Sequence, residues 1–229
     1  IGAGAASAAD TELSTPLAGM ISLGSRAGRE YQDSNAIAIG VDAGFQSQNA
    51  RSLAIGTQAG MSYQGIDAIS MGMEAGKLSQ NTRSLAIGTQ AGMSQQGSDA
   101  VSVGYRAGKE RQQPTASAVG AMAGETSQGA RATAVGVRAG NVDQGAGAVS
   151  VGFSAGRQGQ NAEAVAIGTS AGRTEQGSSS VAIGYNAGQS SQSSNAVAIG
   201  FEAGNVSQGA NAVAIGYRAA TTSQHANTV

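Results

Sequence analysis

The sequence predicts an all-β protein: a parallel β-solenoid of about thirteen turns, each sixteen residues long. Three observations predict it. Glycine recurs at one phase of a sixteen-residue period, from Gly24, Gly40 and Gly56 to Gly200 and Gly216. Glutamine recurs at a second phase, from Gln32 and Gln48 to Gln208 and Gln224. Just ahead of each glycine lies a short segment that alternates small and large residues, as in Ala196-Val197-Ala198-Ile199. A unit this short cannot bury a face alone, so it must stack on copies of itself.

The turn NAVAIGFEAGNVSQGA, Asn195 to Ala210, shows the elements in order. Val197 and Ile199 share one face of a first strand, Ala196 and Ala198 the other. The second large position is apolar in every turn, and the first is apolar except at Ser117 and Thr133. One face is expected to fill the interior of the turn and the other to meet something outside it; the alternation alone does not say which is which. Gly200 closes the strand at a corner that calls for positive φ. Two variable residues lead to Ala203-Gly204, a small pair expected at a second bend or a close backbone approach. The last turn carries Ala219-Ala220 instead. Three variable residues then lead to Gln208.

The position after the glutamine is often Gly65-like, Asn49-like or Asp33-like, residue types that tolerate left-handed backbone, and it is read as the other corner. Gln113-Pro114 fits poorly and, with Ser117, marks residues 112–118 as irregular. At a strand spacing of about 4.8 Å, Gln48, Gln64, Gln80, Gln96, Gln128, Gln144, Gln160, Gln176, Gln192 and Gln208 stack one above the next. That spacing suits an amide ladder, each carboxamide donating to its neighbour, or else a bond to a corner carbonyl of the same turn.

Composition agrees with a thin, repetitive core. The chain has 36 Gly among 229 residues, no Trp, no Cys and 3% aromatic residues, too little bulk for a thick globular interior. The strict placement of Val and Ile argues against disorder. A net charge of −1, with 12% charged residues, leaves no basic face for nucleic acid, so no nucleic-acid partner is expected. No run approaches the length of a membrane span, and any membrane anchor is expected outside this chain. Residues 1–19 fall out of register, with Ala8 and Pro16 at the glycine and glutamine phases, and read as an N-terminal cap or connector. Residues 20–224 form the repetitive domain, and 225–229 the C-terminal tail of a fragment.

The repeated strand motif, AVAIG at 196–200, resembles the head repeats of YadA-like trimeric autotransporter adhesins over roughly residues 20–218. Similar AIGxxAG repeats also look like those in phage and large-virus fibre proteins. This chain departs from the adhesin pattern in its longer period of sixteen and in its AGxxxQG second half. The resemblance implies a left-handed parallel β-roll, a homotrimer, and an extracellular place on a bacterial outer membrane or on a virion. It also implies attachment to a host surface protein, matrix or glycan.

Catalysis is not expected. His225 is the one histidine, and no metal-ligand spacing, triad or phosphate loop is visible, so no cofactor is expected. Five aromatic residues follow strand glycines, Tyr105, Phe153, Tyr185, Phe201 and Tyr217. If they face outward they form a row able to bind protein or glycan; otherwise they fill the corner against the next turn. Arg29, Lys77, Lys109, Glu110, Arg111, Arg157 and Arg173 occupy another variable stretch and read as solvated surface. The leading expectation is a non-enzymatic adhesin or fibre protein that mediates attachment. The alternative is an architectural element of a phage or virus tail or capsid fibre, with receptor binding located elsewhere. Ice binding would need an unbroken threonine row, and Thr57, Thr89 and Thr169 recur too irregularly for one.

Overall fold

A computed structural model describes residues 19–229. The expected cap or connector therefore lies, but for Gly19, outside the described residues. Three-residue strands run from β1 (Ile21–Leu23) to β26 (Thr222–Gln224) in chain order, with no helix among the described residues. Two strands come from each sixteen-residue turn, and about thirteen turns form a β-solenoid. The chain divides into two units between Thr115 and Ala116. The first contains six turns, through β12 (Glu110–Gln112), and the second seven, from β13 (Ser117–Val119).

Within each unit the odd-numbered strands pair in one parallel sheet and the even-numbered strands in another. The register is one repeat. In the first unit Ile37, Ala38 and Ile39 face Leu53, Ala54 and Ile55. In the second, Val181, Ala182 and Ile183 face Val197, Ala198 and Ile199.

The small face of the odd strands is the interior one. Ala38, Ala54, Ala166 and Ala198 are fully buried, and every buried hydrophobic residue described is an alanine. The large residues point out. Corners of only six residues join Ile199 to Val206, which keeps the two sheets too close for a valine or leucine between them. Alanines from the strand and the corner fill the space, as Ala27, Ala38, Ala43, Ala54 and Ala59 do together. The largest fully buried side chains are glutamines from the even strands.

Backbone hydrogen bonds between turns continue through the corners. Glu202 N donates to Tyr185 O at 2.8 Å, Gly204 N to Ala219 O at 2.8 Å and Asn211 N to Ser194 O at 3.2 Å. Each turn is thus bonded along its perimeter, which satisfies peptide groups that a thin solenoid could not otherwise hide. The first corner bends at Gly200 (φ 129°), Glu202 (φ 53°) and Gly204 (φ 52°). A side chain at Gly200 would fall on the carbonyl oxygen of Gly216, so this glycine answers both to its φ and to the next turn.

The second corner corrects the sequence reading. Its left-handed residue is not the one after the glutamine but two residues further on: Asn211 at φ 57°, Arg51 at 58°, Asp67 at 57°. Glycine after the glutamine serves proximity instead. A Cβ at Gly65 would lie 2.5 Å from the carbonyl carbon of Asn81 in the next turn. Where this residue is glycine, its N–H reaches the next glutamine carbonyl at 2.7 Å (Gly65, Gly129, Gly145); at Asn49 and Asn81 the bond lengthens to 3.0 and 3.1 Å.

The same corner explains Pro114. It is a four-residue turn in which Ala212 N bonds to Gly209 O at 3.3 Å, with positive φ at its third position only. Those are the φ signs of a type II turn, which favours proline at the second position. Among the described residues no backbone nitrogen at the phase of Pro114 donates to the inter-turn ladder. Proline therefore costs no bond there. On the first unit's side, Gln112 stays in register with Gln96; on the second unit's side, Ser117 stays in register with Thr133.

Candidate functional site

The expected glutamine column is structural and internal. Gln208 Nε2 donates to Val197 O at 2.8 Å, to Ala212 O at 3.1 Å and to Gln224 Oε1 at 3.1 Å, while its own Oε1 accepts from Gln192 Nε2 at 3.1 Å. One amide thus ties strand, corner and next turn together. The amide chain runs from Gln64 through Gln80 to Gln96 in the first unit, and from Gln128 through Gln144, Gln160, Gln176, Gln192 and Gln208 to Gln224 in the second. Gln48 is buried and bonds only carbonyls of its own turn, Ile37 O and Ser52 O. Both readings of the column hold at once: inter-turn ladder and same-turn staple.

Sequence reasoning left out Gln112, displaced by attention to Gln113. It is buried like the others, and its Nε2 donates to Val101 O at 2.8 Å. Serine in the strand adds a further bond. Ser70, Ser102 and Ser150 each donate from Oγ to the glutamine ten residues on, at 2.6, 2.8 and 2.6 Å. Gln48 and Gln64, whose strand partners are Ala38 and Ala54, keep a buried Oε1 with no hydrogen-bond partner.

All five predicted aromatic residues lie on the outside of the first corner. Their exposures range from 40% at Phe201 to 71% at Tyr217. Three come together: Tyr185 stacks on Phe201 at 5.1 Å between ring centroids, and Phe201 on Tyr217 at 5.3 Å, with interplanar angles of 11° and 14°. Arg218 lies over Tyr217 at 5.3 Å and pairs with Glu202 at 2.8 Å. The row is therefore both exposed and packed turn on turn. Within the stack, ring faces meet each other and ring edges meet solvent. Phe153 stands apart, separated from Tyr185 by a turn that carries Thr169. Tyr105 is accompanied by Arg106, 6.0 Å from its ring centre.

The surface that sequence reasoning left unassigned is the outer face of the odd-numbered strands. It shows two columns of Ile, Leu, Val and Met, interrupted only by Ser117 and Thr133, and none of its positions is charged. Ile21, Leu23, Met71, Ile87, Val119, Val135, Ile167 and Ile215 are exposed, and the remainder are half-buried. The only signal for it was the alternation itself, which is symmetric until the spacing between sheets is known. Each turn of such a face covers about 4.8 by 10 Å, so six turns present roughly 300 Å² in projection. Monomers rarely leave larger apolar patches bare.

Charges are confined to corners and the opposite sheet. Arg51 pairs with Asp67 and Arg83 with Asp99, both at 2.6 Å, in a column of alternating sign. Hydrogen bonds from Arg51 and Arg83 hold the Asp67 and Asp99 carboxyls below the usual carboxylate range, and Arg83 adds to the effect at Asp67. Glu74 is lowered likewise by Lys77 and Gln90. Among the described residues no group of three His, Cys, Asp or Glu is placed to hold a metal ion. Neither family models, curated proteins nor solved structures gave a match to this chain.

Proposed function

We propose that this protein is a non-enzymatic adhesin or fibre component that assembles as a homotrimer on a bacterial outer surface or a virion and mediates attachment. The observation that carries the proposal is the uncharged Val/Ile face of the odd strands, turned outward by a core with room only for alanine and glutamine. A flat apolar sheet face of this kind is covered by another copy at low cost, since burying apolar area is worth about 25 cal/mol per Å². Closed symmetry then consumes the face without leaving a surface that polymerises. The corner aromatics remain outside that contact and supply the attachment surface.

The test is the solution mass by light scattering, followed by binding to immobilised matrix proteins and to cells. A mass three times the chain mass of 22.3 kDa, with surface binding, supports the proposal. A stable monomer overturns it. A trimer that binds no surface favours the second reading, an architectural element of a fibre. The mutual stacking of Tyr185, Phe201 and Tyr217, which occupies their ring faces, is the observation on its side.

A further inference from the structure

The aromatic column of the second unit has one missing rung. Tyr185, Phe201 and Tyr217 stack at one ring per turn, 5.1 and 5.3 Å apart. Phe153 occupies the same corner position two turns before Tyr185, and the turn between them carries exposed Thr169. At the strand spacing, Phe153 and Tyr185 flank a gap of about 10 Å, room for one ring at the separation the stack itself uses.

The same two corners also carry an arginine each, Arg157 and Arg173. Four arginines meet a carboxylate on the next turn or the last: Arg26–Asp42 at 2.7 Å, Arg51–Asp67 and Arg83–Asp99 at 2.6 Å, Arg218–Glu202 at 2.8 Å. Arg157 and Arg173 instead follow each other on consecutive turns, half-buried, and make no ion pair with a described residue. Like charges on consecutive turns, whose backbones are about 5 Å apart, repel.

The middle of the corner also carries short side chains here. At several other turns the residue two positions after the strand glycine reaches side chains beside it in its own turn. Arg106 and Arg218 cover the rings of Tyr105 and Tyr217, while Glu74 and Asn186 bond Lys77 and Gln189. In the turns of Phe153 and Thr169 that residue is Ser154 or Ser170, too short to cover anything. Between the aromatic column and the two arginines the corner therefore carries short hydroxyl side chains, Ser154 buried and Ser170 half-buried.

We propose that Phe153, Thr169 and Tyr185, with Arg157 and Arg173, form a subsite for one pyranose ring bearing an anionic group, a unit of an acidic polysaccharide. The C–H faces of the sugar stack between the rings of Phe153 and Tyr185. Its hydroxyl rim meets Thr169 and Ser170, and its carboxylate or sulfate joins the two guanidiniums, whose planar forks suit oxyanions. This inference rests on the attachment reading and names its ligand class.

Calorimetric titration of the whole chain with four probes tests it: hyaluronan tetrasaccharide, heparin tetrasaccharide, neutral chitotetraose and O-phosphotyrosine. At least one acidic tetrasaccharide is expected to bind tenfold or more tightly than chitotetraose. Hyaluronan binding assigns the carboxylate, and heparin binding alone assigns the sulfate. Thr169→Tyr restores the missing rung, keeps both arginines and is expected to weaken binding at least tenfold. R157Q/R173Q is expected to weaken it similarly and to flatten its salt dependence. Circular dichroism checks that both variants are folded. Unchanged binding in Thr169→Tyr, equal affinity for O-phosphotyrosine, or no binding of any tetrasaccharide at millimolar concentration overturns the subsite. A trimer that adheres to surfaces equally well as wild type and as Thr169→Tyr refutes the subsite while leaving the attachment reading intact.

Discussion

Replacing Gln160 by glutamate changes one atom in the deepest part of the second unit and should convert its stability into a pH-dependent quantity. Gln160 Nε2 donates to Val149 O at 3.0 Å, Ala164 O at 3.2 Å and Gln176 Oε1 at 3.1 Å. Its Oε1 accepts from Ser150 Oγ at 2.6 Å and Gln144 Nε2 at 3.2 Å. In Gln160→Glu an oxygen takes the place of the donor and faces three acceptor oxygens. The neutral acid still has one O–H to offer, so the cost at low pH is that of one or two lost bonds, about 1–3 kcal/mol. The ionised acid has none, and burial pushes its pKa up. Documented buried glutamates reach about 8–9 against about 4.3 in the unfolded chain, and each unit is about 1.4 kcal/mol, so ionisation adds about 5–7 kcal/mol.

The folded pKa is raised, so the variant keeps its stability below about pH 4 and loses it progressively until pH passes the folded pKa. Urea unfolding of variant and wild type by circular dichroism from pH 4 to pH 9 measures the difference. A total loss of about 6–10 kcal/mol at high pH would consume most of a typical stability. An equal loss at pH 4 and pH 9 would refute the claim that the amide column is a dry interior.

Four further outcomes follow from the same geometry. Gly200→Ala is expected to cost about 3 kcal/mol in chemical unfolding, because the new Cβ has φ 129° and lies 2.8 Å from the carbonyl carbon of Gly216. Ala54→Ser supplies the donor that Gln64 Oε1 lacks, as Ser70 does for Gln80, and is expected to stabilise by about 1 kcal/mol; a destabilised variant would show the hydroxyl turned elsewhere. Ile183→Lys puts a charge on the apolar face and is expected to leave the circular dichroism of the fold unchanged while lowering the mass in light scattering towards that of one chain. The lowered pKa values of Asp67 and Asp99 mean that the contribution of their arginine pairs is present above the unfolded carboxylate range and lost as pH falls through the folded values. Carboxyl titration by NMR checks this, and Arg51→Ala should return Asp67 towards its ordinary value.

The period, the strands and the first corner could be read from residue types because glycine, glutamine and the Ala/Val alternation each have one dominant use in a stack. The assignment of faces could not. Val197 and Ala198 alternate identically whichever side is inward, and only the short corners, which force the sheets together, decide for alanine. The left-handed positions were also hidden. Tyr63, Arg111, Glu175 and Ser207 adopt φ between 53° and 57° in the middle of a strand, yet these residue types carry no such preference. Inter-turn bonding imposes that conformation on whatever residue stands there. At the aromatic corner the exposed row was legible from Tyr185, Phe201 and Tyr217. Its gap at Thr169 became meaningful only once ring spacing equalled turn spacing.

A last consequence concerns how such a chain folds. Sheet proteins usually fold slowly because their strands must find partners far away in sequence, at the expense of loop entropy. Here each strand pairs with the strand one repeat away, as Ile37 does with Leu53. Contacts separated by sixteen residues in a chain of 229 give a relative contact order near 0.07, the range of helical bundles. Growth of the solenoid adds one turn to an existing edge, with the same short search each time. A protein made entirely of parallel strands should therefore elongate with the kinetics of a helical one, and its slow step should be the first pair of stacked turns.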